Sequence, residues 1–154
     1  MIGKFNEKRK RNLAEERTLI LVKPDGVSSH HVGEIITRIE RKGYEIEALK
    51  VVSATEDQLK QHYNDKVDKP YFPDMLSYMQ SGPIVGIVAA GTNITKAMHR
   101  MAGNTNPGEA EFGTIRGDYG REWPYKHIQN VVHTSDSVES AQREIKIWFP
   151  EFNF

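Results

Sequence analysis

The sequence predicts an α/β fold, a ferredoxin-like, four-stranded, mainly antiparallel sheet with helices packed on one face. Strand and helix patterns alternate in the order β-α-β-αα-β-α-loop-β-α, which contains two βαβ-like halves. Hydrophobic residues make up 38% of the 154-residue chain and are grouped into short periodic runs, as in one folded domain of ordinary size. A small parallel sheet remains an alternative, because it would produce a similar order of elements.

The first three elements are a strand, a helix and a second strand. Residues 18–22, TLILV, form a continuous apolar run that ends at KPDG, where Pro24 and its neighbours favour a turn. The segment VGEIITRIERKG has apolar residues at helical spacing and ends in a glycine, so we expect a helix over 32–43. Residues 44–54, YEIEALKVVSA, predict a strand that alternates at first and becomes more apolar later.

Two helices and a buried strand follow. Thr55 and Gln58 have the spacing of a capping box at the start of the first of these helices. In the second, YFPDMLSYMQSG, Pro73 lies near the first turn and a Gly-Pro pair follows the end. Residues 84–91, IVGIVAAG, have the continuous apolar composition of a buried strand.

The last part of the chain predicts a helix, a long loop, a strand and a final helix. The helix over 93–103 begins at an asparagine cap and stops at a glycine. The glycine-rich segment 104–126 is long for a loop, and ordered loops of that length usually have a function. IQNVV, residues 128–132, predicts the last strand, and Asp136 and Glu139 are placed to cap the last helix.

The composition excludes several classes of protein. Lysine plus arginine equal aspartate plus glutamate at 21 each, so no net charge draws the chain to nucleic acid or to a membrane. The absence of cysteine excludes disulfides, thiol catalysis and thiolate zinc sites. No apolar segment approaches the roughly 20 residues that span a bilayer, and the charged start lacks the apolar region of a secretory signal. We therefore expect a cytoplasmic protein with a charged arm at 1–16 and a single domain at 17–154.

His133 is the first candidate for a reactive group. It lies where the last predicted strand meets the last helix, and α/β proteins often carry reactive or anion-binding groups at such places. An imidazole of ordinary pKa, about 6.5, is largely uncharged and nucleophilic near neutral pH. By position alone, a structural histidine that only hydrogen-bonds is the commoner case.

Three other features point to phosphoryl chemistry at this histidine. Lys23 closes the first strand, where its ammonium could hold a terminal phosphate. The segment GNTNPGEAEFGTIRGD offers backbone amides, the hydroxyl of Thr105 and the guanidinium of Arg116, which suit a polyphosphate. Glu144 lies two turns into the last helix and could orient the imidazole. Rival chemistries have less support. The sequence has no Walker A loop of a P-loop enzyme, no nucleophile elbow of a serine hydrolase and no histidine spacing typical of a transition-metal site.

Seven motifs, in order, resemble the nucleoside diphosphate kinase family: ERTLILVKPDGV, GEIITRIERKGYEIEALK, QHY, SGPIV, TNP, GTIRGD and NVVHTSDSVESA. They extend over roughly residues 16–149. The resemblance implies a ferredoxin-like α/β domain assembled into homotetramers or homohexamers. It also implies transfer of the γ-phosphate from a nucleoside triphosphate such as ATP to a nucleoside diphosphate, in a ping-pong cycle through a phosphohistidine. Mg²⁺ would be held mainly by the nucleotide phosphates, without a protein ligand.

The resemblance further implies a role for individual residues. His133 would be the nucleophile, Tyr71 would stack on the base, and Asn130 would hydrogen-bond the sugar with help from Lys23. Stacking without hydrogen bonds to the base edge predicts broad base tolerance, because every base has a π-face. The remaining implied roles are phosphate binding by Lys23, Thr105 and Arg116, and positioning of the histidine and the incoming phosphate by Tyr63, Ser135 and Glu144.

Four features depart from the family pattern. His99 stands where an arginine is usual, and either its imidazole lines the site, which we favour, or the neighbouring Arg100 replaces the arginine. Thr134 replaces the usual glycine after the nucleophile, and Phe112 replaces a frequent proline. The loop 119–129 is about four residues longer than the pattern.

Two other functions remain as alternatives. The departures at His99 and Thr134 would suit a catalytically weakened regulatory relative that binds nucleotide tightly but transfers negligible phosphate. A ferredoxin-like module that binds single-stranded nucleic acid would need aromatic pairs in mid-strand and a basic face. The strand IVGIVAAG and the balanced charge offer neither, so we expect nucleotides rather than nucleic acid or a membrane as partners.

Overall fold

The computed structural model describes residues 15–124 and 127–154, which contain one four-stranded sheet. Its strands are β1 (Glu16–Val22), β2 (Glu45–Val52), β3 (Ile84–Gly91) and β4 (Val132–Thr134). The strand order is β2-β3-β1-β4 and every neighbouring pair is antiparallel, which confirms the predicted fold class and rules out the parallel alternative. The predicted arm 1–16 falls mostly on residues 1–14, which lie outside the described residues, as do the last two residues of the predicted loop 104–126.

Helices account for the other regular elements of the described ranges. They are α1 (Pro24–Ser28), α2 (Val32–Arg41), α3 (Glu56–His62), α4 (Phe72–Met79), α5 (Ile94–Ala102), α6 (Ile115–Tyr119) and α7 (Val138–Trp148). The capping box at α3 is confirmed, because Thr55 Oγ1 accepts from the Gln58 amide at 3.1 Å and the Thr55 amide donates to Gln58 Oε1 at 3.1 Å. The longest helix, α7, has 11 residues, and none in the described part of the chain could cross a bilayer.

Three local predictions were wrong. The KPDG segment is not a simple turn, because Pro24 begins α1 and its fixed φ suits the first turn of a helix. Asn93 precedes α5 in a left-handed conformation with φ of 53°, and its side chain caps nothing. The cap of α7 is Ser137 rather than Asp136, since the Ser137 hydroxyl accepts from the amide of Ser140 at 3.1 Å.

The last strand is displaced from its predicted position at 128–132. Val131 adopts a left-handed φ of 73°, which is unusual for a β-branched residue and prevents an extended strand from running through it. Its amide donates to Asp25 Oδ2 at 3.0 Å, and its carbonyl accepts from the amide of Lys23 at 2.8 Å. The segment after β1 therefore holds Val131 in this conformation, and β4 begins only after it.

Helices pack on both faces of the sheet, not on one face as predicted. Successive residues of a strand point to opposite faces. Leu19 and Leu21 belong to a core that includes residues of α3, α4 and α7, whereas Ile20 and Val22 belong to a second core with residues of α2 and α5. This burial on both faces explains why the run TLILV is continuously apolar and does not alternate with polar residues.

Candidate active site

The predicted site residues meet where β1 and β4 lie side by side. His133 pairs with Leu21 across the two strands, and Lys23 follows the end of β1. The side chain of His133 is 18% exposed, so a substrate can reach it although most of the ring is covered. The topology of the sheet thus joins residues from the two ends of the sequence.

Glu144 binds one nitrogen of the His133 ring. His133 Nε2 lies 2.6 Å from Glu144 Oε1, and the same oxygen accepts from Ser135 Oγ at 3.3 Å. As a carboxylate, Glu144 accepts both bonds, which fixes the proton of the neutral ring on Nε2 and leaves a lone pair on Nδ1. The geometry therefore leaves Nδ1 as the nitrogen with the available lone pair, which the sequence could not show.

The electrostatic surroundings keep His133 uncharged. Burial, followed by the positive charge of Lys23, lowers the pKa of His133 to about 3, and Asp136 opposes this shift. Burial raises the pKa of Glu144, while His62 and Arg143 act in the opposite direction. An imidazole with such a low pKa is in its nucleophilic form throughout the neutral range.

Three predicted binding residues form a connected group beside this ring. Lys23 Nζ donates to Asn130 Oδ1 at 2.7 Å, and Asn130 Nδ2 donates to the carbonyl of Thr105 at 3.0 Å. Asn130 is buried, whereas Thr105 is exposed. Burial, followed by the charge of Arg116, lowers the pKa of Lys23 to about 7.

Arg116 is buried, and each of its three nitrogens donates to a backbone carbonyl. Nε donates to Asn130 at 3.1 Å, Nη1 to Gly103 at 2.8 Å and Nη2 to Val132 at 2.8 Å. Sequence reasoning missed this role, which ties the end of α5 to the segment that carries β4. A guanidinium has five N–H groups, so two remain for an anion.

Tyr63, Tyr71 and His99 differ in their surroundings. Tyr63 is buried, and its ring centroid lies 6.5 Å from that of His133. Tyr71 precedes α4 and is 46% exposed, which leaves its ring accessible to a flat ligand. His99 on α5 is exposed, and its Nδ1 lies 3.8 Å from Oδ1 of Asp136.

Sequence reasoning also missed two residues that border the site. His62 is buried, and its ring centroid lies 4.3 Å from that of His133. Asp25 accepts from the hydroxyl of Tyr78 and from the amide of Val131. The only sequence signals for these residues were the motifs that contain them, QHY for His62 and KPDG for Asp25. Neither motif shows which residues far away in the sequence each side chain contacts.

His62, His133 and Glu144 form a candidate metal cluster among the described residues, with one possible ligand atom from each within 4.8 Å of the others. Their hydrogen bonds argue against a metal. His62 Nδ1 accepts from Trp148 Nε1 at 3.0 Å, and Glu144 Oε1 is already engaged by His133 and Ser135. Hard ions such as Mg²⁺ also prefer oxygen ligands, so two imidazoles and one engaged carboxylate do not suit them.

Comparison with known proteins gives a consistent result. The family model described as nucleoside diphosphate kinase matches residues 16–154. A nucleoside diphosphate kinase of Gallus gallus is 51% identical over 134 residues, covering 87% of this chain and 85% of that protein. Nucleoside diphosphate kinase B of Homo sapiens is 49% identical over 134 residues, covering 87% of this chain and 86% of that protein.

Solved structures give the same match in three dimensions. A halophilic nucleoside diphosphate kinase from Halobacterium salinarum, in complex with CDP, superposes with a TM-score of 0.82 at 36% identity, covering 88% of each chain. The apo enzyme of Encephalitozoon cuniculi gives a TM-score of 0.81 at 38% identity, covering 87% of this chain and 88% of the other.

Proposed function

The chain belongs to the nucleoside diphosphate kinase family, and on this basis we propose that its phosphate transfer between nucleotides runs through a phosphohistidine at His133. The observation that carries the proposal is the hydrogen bond of 2.6 Å between His133 Nε2 and Glu144 Oε1. It leaves Nδ1 as the free, uncharged nucleophile beside Lys23. The pattern of a nucleophile oriented by a neighbouring carboxylate is general in covalent catalysis.

In the first half of the cycle, Nδ1 attacks the γ-phosphorus of a nucleoside triphosphate. A bond forms between Nδ1 and phosphorus, the bond from phosphorus to the β–γ bridging oxygen breaks, and the nucleoside diphosphate leaves with that electron pair. The proton on Nε2 stays in place, and the carboxylate of Glu144 stabilises the positive charge that develops on the ring. The second half reverses these steps with another diphosphate.

Positioning and charge supply most of the catalysis in phosphoryl transfer. Lys23, the two remaining N–H groups of Arg116 and the hydroxyl of Thr105 would hold phosphate oxygens. Tyr71, half-exposed at the start of α4, would stack on the base, and Asn130 would bind the sugar. A stacked base needs no edge contact, so we propose that the enzyme accepts purines and pyrimidines alike.

Kinases of this family need a divalent metal, and we propose that it is Mg²⁺ carried by the substrate. Mg²⁺ keeps several waters and binds phosphate oxygens readily, whereas the cluster of His62, His133 and Glu144 offers it poor ligands. When bound, the ion would neutralise negative charge on the phosphates. The residues of this chain would bind and orient the nucleotide.

Labelling with γ-³²P-ATP tests the proposal. The wild-type protein should acquire one acid-labile phosphate per chain, and a later addition of GDP, CDP or UDP should move the label to the corresponding triphosphate. A folded wild-type protein that binds ADP tightly yet takes up no label would contradict the proposal and favour the regulatory alternative.

Lys23 predicts a proton linkage in nucleotide binding. The free lysine, with a pKa of about 7, is mostly uncharged at pH 8, whereas a bound polyphosphate favours the ammonium. Binding at pH 8 should therefore take up a proton, and the Kd for ADP should rise by about tenfold per pH unit above pH 7. Calorimetry in buffers of different ionisation enthalpy measures the uptake. Lys23→Arg, which stays charged, should abolish it, and equal uptake in both proteins would refute the prediction.

His99→Arg should strengthen nucleotide binding. An arginine carries a permanent charge and a planar fork of donors, which an imidazole lacks, so we expect the Kd for ADP to fall about 3- to 10-fold. The neighbouring, exposed Arg100 gives the matched control, since Arg100→Ala should leave the Kd unchanged. No gain in the first variant together with a large loss in the second would assign the phosphate contact to Arg100.

We also propose that the chain forms a homo-oligomer through the outer edge of β2. This strand lies at one end of the sheet, and Leu49 and Val51 on it are 47% and 66% exposed. An edge strand of eight residues that exposes Leu49 and Val51 in its second half is a ready partner for another strand. A second copy of the same strand, paired antiparallel, would be self-complementary, as two-fold interfaces require.

Val51→Lys should weaken this interface. A buried lysine on each side of a two-fold axis brings like charges together, so the oligomer mass should fall towards that of the monomer in sedimentation experiments. Val67→Lys is the matched control, because Val67 is an exposed valine, 37% exposed, outside the sheet. An unchanged mass in Val51→Lys would place the interface elsewhere. If Val51→Lys lowers the oligomer mass, the mass of the wild-type oligomer in the same experiment distinguishes a tetramer from a hexamer.

A further inference from the structure

A second histidine, His62, lies against the His133 ring and takes no part in the steps described above. It is the last residue of α3 and is 4% exposed. The two ring centroids are 4.3 Å apart and the planes meet at 75°, so the rings contact edge to face. On another side, His62 makes a similar contact with Tyr63, with centroids 4.5 Å apart. His62 therefore forms one wall of the space in which His133 can move.

Trp148 fixes both the orientation and the proton of His62. An indole nitrogen only donates, and Trp148 Nε1 donates to His62 Nδ1 at 3.0 Å. The neutral His62 ring must therefore carry its proton on Nε2. Because Trp148 is 1% exposed, water does not compete for this bond.

Hydrogen bonds from Arg143 also hold the backbone at His62. Arg143 donates to the carbonyl of Gln61 at 2.7 Å and to the carbonyl of His62 at 3.3 Å. These carbonyls lie at the end of α3, where a helix leaves such groups without an internal partner. Arg143 and Trp148 both belong to α7, which also carries Glu144. One helix thus restrains both histidines.

We propose that His62 is a positioning residue that holds the His133 ring, together with Glu144, in the orientation needed for attack. A single hydrogen bond at Nε2 leaves the ring free to pivot about that bond. A rigid ring packed at a nearly right angle blocks the pivot. The inference rests on the proposed function, because the orientation matters only if His133 is the nucleophile.

This role requires an uncharged His62. Burial lowers the pKa of His62 well below its usual range, with further lowering by His133, Lys23 and Arg143 and an opposing effect of Glu144. A charged His62 would form an ion pair with Glu144 and draw the carboxylate away from His133. The bond from Trp148 also opposes protonation, because an Nδ1 that accepts from the indole cannot carry a proton.

His62→Asn tests the proposal. The asparagine oxygen can still accept from Trp148, so the buried indole keeps a partner while the ring against His133 is lost. We expect the single-turnover rate of His133 phosphorylation by ATP to fall about 10- to 100-fold. The Kd for ADP should stay within about twofold, because the binding group around Lys23 is untouched.

A spectroscopic readout separates positioning from general stability. In ¹⁵N-histidine NMR spectra, wild-type His133 should be a single neutral tautomer with its proton on Nε2. In His62→Asn, the two His133 nitrogens should move towards averaged shifts, because the ring can turn and exchange partners. A single unchanged tautomer in the variant would contradict the proposal.

The matched control is His30→Asn, the same substitution at an exposed histidine whose φ of 62° asparagine readily adopts. It should react at the wild-type rate. If the wild type takes up label and His62→Asn takes it up equally fast, the positioning role is overturned and the proposed function stands. If the rate, the ADP affinity and the melting temperature of His62→Asn fall together, His62 is merely structural and the inference is again overturned. A wild-type protein without label overturns both.

Discussion

Replacing His133 by alanine should abolish the phosphoenzyme and reduce phosphate exchange between nucleotides by more than about 10⁴-fold. The reason is chemical, since His133 presents an available lone pair on an uncharged ring, whereas the lone pair of the neighbouring His62 ring is engaged by Trp148. Binding should survive, because the hydrogen bonds from Lys23 to Asn130 and from Asn130 to Thr105 do not involve His133. The measurements are labelling by γ-³²P-ATP and the Kd for ADP, with His30→Asn as the control.

The pH profile of the wild type gives the same prediction an independent check. A histidine whose pKa is about 3 stays uncharged as the pH falls from 8 to 5, so the single-turnover phosphorylation rate should not decline with protonation of this ring. An ordinary histidine would lose about tenfold in rate per pH unit below its pKa of about 6.5. Residual labelling in His133→Ala, or an acid limb near pH 6.5 that moves with mutations around His133, would remove this residue from its assigned role.

Arg116→Met should have the largest effect on stability. Arg116 is 6% exposed, and its removal leaves the carbonyls of Gly103 and Val132 without the donors Arg116 supplies, whereas the carbonyl of Asn130 still accepts from the amide of Val132 at 2.8 Å. Two unpaired carbonyls cost about 1–3 kcal/mol each, with partial relief from water, so we expect a loss of about 2–4 kcal/mol in unfolding free energy. This corresponds to a melting temperature lower by roughly 4–16 °C.

Arg116→Lys separates the two roles of this residue. A lysine keeps a positive charge for the phosphates, but its single nitrogen cannot replace three donors that point to three carbonyls. It should therefore recover part of the ADP affinity and little of the stability. Arg100→Met, at an exposed arginine, should change neither. A melting temperature of Arg116→Met within about 2 °C of the wild type would show that the three hydrogen bonds are dispensable.

Much of the fold could be predicted from sequence because its signals are local. The apolar runs of β1 and β3, the helical spacing of α2 and the capping box of Thr55 and Gln58 each depend on neighbouring residues only. The position of β4 could not be predicted, because the left-handed Val131 is held by Asp25 from the other end of the chain. The face on which each helix packs also depends on tertiary contacts, which is why the expectation of one covered face failed.

The candidate site likewise has features that local motifs predict and features that depend on tertiary contacts. Motifs that resemble the family pattern identified His133, Lys23 and the other candidates, because a motif depends only on residues that are near in sequence. Which nitrogen of His133 is free depends on the place of Glu144 in space, and the structural role of Arg116 depends on carbonyls from two other segments. The His62 contact has no sequence signal beyond its motif, because its partner Trp148 lies on α7.

The arrangement of α7 has a consequence for partial unfolding. This helix carries Arg143, Glu144 and Trp148, which restrain both histidines, and it packs on one face of the sheet against β1. A helix on the outside of a sheet commonly detaches at lower free energy than the central strands. Detachment of α7 alone would release the reactive imidazole while β1 and β3 stay paired. Mild denaturant should therefore inactivate the enzyme at concentrations where amide hydrogen exchange in the sheet is still slow.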